Sequence, residues 1–74
     1  MKYMSIENYK KLSIIINNYI DLIRFNIIIN KPIIASIIYY RAVKVIGYYY
    51  KSYQISYYAR DYFYKRVVNA RYAL

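Results

Sequence analysis

Seven cations fall in the second half of the chain, Arg41, Lys44, Lys51, Arg60, Lys65, Arg66 and Arg71, with tyrosines between them and Asp61 as the only acid. Cations interleaved with hydroxyl-bearing aromatics suit one kind of chemistry above others. The charges displace counter-ions from a phosphate backbone, and the phenols donate hydrogen bonds to phosphate oxygens or stack on bases. The same cations could instead form a solvated basic face, or bond to carbonyls within an interface. No zinc finger, RNA-recognition core motif or other named module accompanies them, so the expectation is contact with the backbone and not sequence-specific readout.

Other chemistries find little to work with. The chain has no His and no Cys, which removes His- or Cys-based catalysis, disulfides and nearly every transition-metal site. Ser5, Ser13, Ser36, Ser52 and Ser56 lack a histidine partner, a single glycine cannot build a phosphate-cradling loop, and Glu7, Asp21 and Asp61 are scattered. The expectation is a non-enzymatic protein with no cofactor, no metal and no small-molecule substrate.

Charge and size point to partners. Twelve Lys and Arg against three acids give a formal charge of +9, so the counter-charge lies outside the chain, on phosphate backbones or anionic lipid headgroups. A chain of 74 residues that is 61% hydrophobic has more apolar surface than a domain of its size buries alone, which predicts packing against copies of itself or other proteins. Tyr occurs 14 times and Phe twice. An AT-rich genome favours both codons equally, so the preference for the phenol calls for a role at an interface that is part apolar and part wet.

The elements that must position these residues read as helices. Asn30-Lys31-Pro32 is the strongest punctuation, with Pro32 an early helical residue and Asn30 or Lys31 at the cap. Upstream, a helix over about 5–29, capped by Ser5 with Glu7 in its first turn, carries Lys10, Asn17, Arg24 and Lys31 at heptad spacing. It is apolar around most of its circumference, so protein should surround it on several sides. Downstream, a helix over about 32–72 would align Lys44, Lys51, Tyr58, Lys65 and Tyr72 every seven residues, opposite Ile38, Ala42, Val45, Tyr49, Tyr53, Ser56, Phe63 and Val67, a face interrupted by Arg60 and Arg71. Gly47 marks a candidate bend that would make three helices. Residues 52–57 alternate with period two and could be read as a strand.

The expected fold is therefore all-α, a single small domain in the form of a helical hairpin with a long second helix. At 1.5 Å per residue the arms would measure about 36 and 60 Å, leaving the far arm uncovered. Tyr49, Tyr53, Tyr57, Phe63 and Val67 then become the expected assembly interface. The best apolar windows, 33–50 and 12–29, contain Arg41 and Lys44, or Asn17, Asn18, Asp21 and Arg24, so neither reads as a clean membrane span. The first 20 residues resemble neither a secretory signal nor a mitochondrial presequence.

Two kinds of assembly fit this profile. One is a small coat or nucleoprotein that repeats around a DNA genome in a virion; the other is a small ribosomal protein of an AT-rich organelle. An accessory subunit of a membrane complex is the third alternative. The first is preferred because of the selection of Tyr over Phe, and because the sequence shows no Gly- and Pro-containing basic extension of the ribosomal kind and no clean span.

Overall fold

The computed structural model describes residues 6–72, which form three α-helices and no strand. The helices are α1 (Ile6–Ile28), α2 (Pro32–Lys51) and α3 (Tyr57–Tyr72). All three pack on one another in an up-down-up bundle measuring 44 × 17 × 16 Å.

Helix α1 buries Leu12, Ile16, Ile20 and Ile23, whose spacing of three and four keeps one stripe turned inward. Glu7 lies in its first turn. The cap expected of Ser5 lies outside the described residues. The helix ends where Asn30 takes a left-handed conformation, φ 64°, while Lys31 N–H reaches Asn26 C=O at 2.7 Å and Asn30 N–H reaches Ile27 C=O at 3.0 Å. This is a Schellman closure, and asparagine tolerates the left-handed position it requires. Pro32 then opens α2, as its missing N–H and fixed φ suit a first turn.

The long second helix of the sequence reading is two helices. The break falls at residues 52–56, while Gly47 lies inside an uninterrupted α2. Two serines account for the position. Ser52 Oγ donates to Tyr48 C=O at 2.7 Å, and Gln54 N–H closes back on Tyr49 C=O at 2.9 Å. Ser56 Oγ then accepts the Ala59 N–H at 3.1 Å, which makes it the N-cap of α3. The period-two alternation that suggested a strand is this turn, with Ile55 buried and Tyr53 exposed. A Cβ at Gly47 would meet nothing within 4 Å. Its bare backbone borders an open cleft of about 330 Å³ shared with Val43, Ile46, Arg60 and Tyr64.

Because the chain turns at 52–56, α3 runs back alongside α1 and covers what a single long arm would have exposed. Ala59, Phe63, Val67 and Ala70 of α3 meet Ala35, Ala42 and Ile46 of α2 and the α1 stripe in one core. The four alanines let the helices approach closely, and Phe63, fully buried, fills the centre with the Tyr9 ring 5.1 Å away. Replacing the α3 cap, Ser56→Ala, is expected to cost about 1 kcal/mol and lower the melting temperature by about 4–8 °C. Thermal denaturation followed by circular dichroism measures this, and an unchanged midpoint would remove Ser56 as the cap.

Candidate nucleic-acid interface

The outer face of α2 carries Tyr40, Lys44, Tyr48 and Lys51, with Arg41 beside them, all exposed. Their spacing of three and four puts them in one stripe, and Arg41 to Lys51 spans about 15 Å along the axis. Arg41, Lys44 and Lys51 reach into solvent with no side-chain partner among the described residues. Lys51 also sits in the last turn of α2, where a cation suits the negative end of the helix dipole.

The four cations of α3 are placed differently. Lys65 is exposed but stands 3.2 Å from Asp61 one turn away. Arg66 donates from Nη1 to Asn17 Oδ1 of α1 at 2.7 Å. Arg71 donates from Nη2 to Ser36 Oγ of α2 at 2.6 Å, with its guanidinium 5.0 Å from the Tyr72 ring centre. Arg60 lies against two tyrosines, 5.0 Å from the Tyr50 ring centre and 4.9 Å from that of Tyr57. Its Nε is buried with no hydrogen-bond acceptor, so cation–π attraction takes the place of solvation there. Of seven cations expected on one surface, three form an open stripe, one is ion-paired and three tie helices or rings together.

The continuous heptad stripe is likewise two stripes. Tyr58, Lys65 and Tyr72 are exposed on α3, but the turn at 52–56 separates them from Lys44 and Lys51. Between the two helices, Tyr39 is half-buried, and this burial, reinforced by the Tyr64, Tyr72 and Tyr40 phenols, pushes its pKa above the ordinary phenol range against the pull of Arg71. The folded state therefore favours the neutral phenol. Its contribution to stability is intact below the unfolded tyrosine pKa of about 10 and falls as pH rises beyond it.

No protein-family model, curated protein or solved structure matches this chain. The functional reading rests on the side chains themselves. Among the described residues no group of three or more acidic or metal-ligating side chains gathers, and no helix is long and apolar enough to cross a membrane.

The residues expected to form an assembly interface divide in two. Phe63 and Val67 are fully buried in the chain's own core, so they are filled by α1 and α2 and not presented to a partner. Tyr49 packs half-buried against that core, while Tyr53 and Tyr57 are exposed. A further exposed apolar group lies at the opposite end of the bundle, around the α1–α2 turn. Phe25, Ile28, Ile33 and Ile37 are more than half exposed there, Ile33 by 76%, with Leu22, Ile29 and Ile34 beside them. The nearly all-round apolar character of the first helix is the signal for this exposed apolar surface in the sequence.

Proposed function

We propose that this chain is a non-enzymatic structural subunit that packs against a nucleic-acid backbone, in the form of a small coat or nucleoprotein repeated along a genome. The observation that carries the reading is the α2 stripe of Arg41, Lys44 and Lys51, unpaired among the described residues and flanked by exposed Tyr40 and Tyr48. Cations left without acids, on a molecule of formal charge +9, gain most from a polyanion that releases its own counter-ions on contact. Base identity plays no part, because the stripe supplies charge and phenols without a reading head.

Repetition along the ligand is supported by the other end of the molecule. The isoleucines and Phe25 at the α1–α2 turn make an apolar surface of a kind that monomers seldom leave uncovered. Copies of the same chain are the proposed cover, which puts the protein contacts and the nucleic-acid contacts on different parts of one small bundle.

The test is the composition of the native particle, measured by mass spectrometry before and after nuclease treatment. Many identical copies that release or lose a protected genome are the expected result. A single copy in an RNA-rich particle would transfer the chain to a ribosome-like setting, and a particle with bound lipid and no nucleic acid would overturn the reading.

A further inference from the structure

Both interhelical turns close in the same way, with a left-handed residue one position past the helix cap, yet the residues there differ. Asn30 holds the position after α1 and Tyr53 holds it after α2, with φ of 64° and 61°. Asparagine adopts this conformation readily; tyrosine pays a steric penalty that glycine would avoid. Nothing in the fold accounts for the choice, since Tyr53 is 82% exposed and none of the close ring pairs among the described residues includes it. The turn itself is held firmly, with Ser52 Oγ on Tyr48 C=O and Gln54 Nε2 donating to Ser52 Oγ at 2.8 Å.

A strained residue kept in a rigid turn with its ring in solvent points to a function for the ring. The surroundings indicate which. Tyr58, 83% exposed, lies in the first turn of α3 at the same end of the bundle, and the α2 cation stripe ends there at Lys51. Arg60, between the Tyr50 and Tyr57 rings, fixes the neighbouring aromatics. Projecting phenol rings at the end of a row of cations match what single-stranded nucleic acid needs: charge along the backbone and flat surfaces for unpaired bases. A duplex keeps its bases stacked on one another and offers none to these rings.

We infer that the α2–α3 turn is a stacking platform, with Tyr53 as its main ring, and that the protein prefers single-stranded over double-stranded nucleic acid. This rests on the phosphate-binding stripe proposed above. It adds that unpaired bases are the preferred ligand class.

The test uses the full chain and two probes, a fluorescently labelled oligothymidine and a mixed-sequence duplex of equal length, each titrated by anisotropy. Wild type is expected to bind the single strand more tightly. In Tyr53→Gly the turn relaxes, so the melting temperature rises by a few degrees. Single-strand affinity falls by about 5- to 150-fold, the loss of one stacked base, and duplex affinity stays unchanged. Tyr53→Phe keeps the ring and should bind the single strand as wild type does. A Tyr53→Gly chain that is more stable and binds the single strand undiminished would overturn the platform while leaving the stripe standing. Wild type binding neither probe would overturn the stripe and the platform together.

Discussion

Phe63→Ala is expected to cost about 3–5 kcal/mol, the loss of a fully buried aromatic and the hole it leaves. Phe63 has no exposed surface and its ring lies tilted against that of Tyr9, so it joins α1 to α3. A chain of 74 residues has a total stability of only about 4–11 kcal/mol at ordinary values per residue. The substitution therefore removes about a quarter of that stability or more. The melting temperature should fall by at least about 12 °C, read by circular dichroism on the purified chain at fixed concentration. A shift of only a few degrees, accompanied by loss of assembly, would put Phe63 back at an interface between copies.

The double charge reversal Lys44→Glu with Lys51→Glu has the largest expected effect on binding. Each replaced lysine forfeits a charge-assisted contact of about 1.5 kcal/mol or more, so the pair should weaken binding by about 100-fold or more. It should also reduce the slope of log affinity against log salt by about 1.4 for a single strand. Both side chains are exposed, so Lys44→Glu should barely move the melting temperature, whereas Lys51→Glu puts an anion at the negative end of the α2 dipole and should lower it by a few degrees. Arg66→Gln and Arg71→Gln make the comparison informative. Their guanidinium groups bond Asn17 and Ser36, so their loss should act on stability and leave the salt slope nearly as it was. Equal slopes in wild type and the double mutant would end the case for the stripe.

The first helix and its boundary were legible because their signals are local. Asn30-Lys31-Pro32 combines a residue suited to a left-handed cap with one suited to a first turn, and the helices end and begin there. The second break was hidden by periodicity. The buried α3 residues Ala59, Phe63, Val67 and Ala70 keep the spacing of three and four, so the pattern reads through residues 52–56 as if one helix continued. The signals at the break are two serine hydroxyls, Ser52 at the end of α2 and Ser56 at the start of α3, and their alternation with Tyr and Ile imitates a strand. Gly47 drew attention because glycine is a poor helix former, but one such residue costs less than the packing of α2 against its neighbours returns.

The cations show a different limit. Charge is countable in a sequence, whereas the acceptors that engage a given arginine are not. Asn17 and Ser36 lie 49 and 35 residues from the arginines they bind, and neither is an acid that would have marked a pairing. Arg60, Arg66 and Arg71 therefore looked equivalent to Arg41, and only the path of α3 past α1 and α2 separates them.

Those two arginine bonds to an amide and a hydroxyl bear on how the molecule could be emptied and refilled. Exposed contacts between opposite full charges fade as mobile ions accumulate, while hydrogen bonds to neutral oxygens and an apolar core are far less sensitive. The ion pair of Lys65 with Asp61 lies on the surface, a contact worth about 1 kcal/mol or less. For the polyanion proposed to bind α2, ionic strength would then act as a selective release: concentrated salt would strip it while the three helices stay docked, and dilution would load the same intact subunit again without a refolding step.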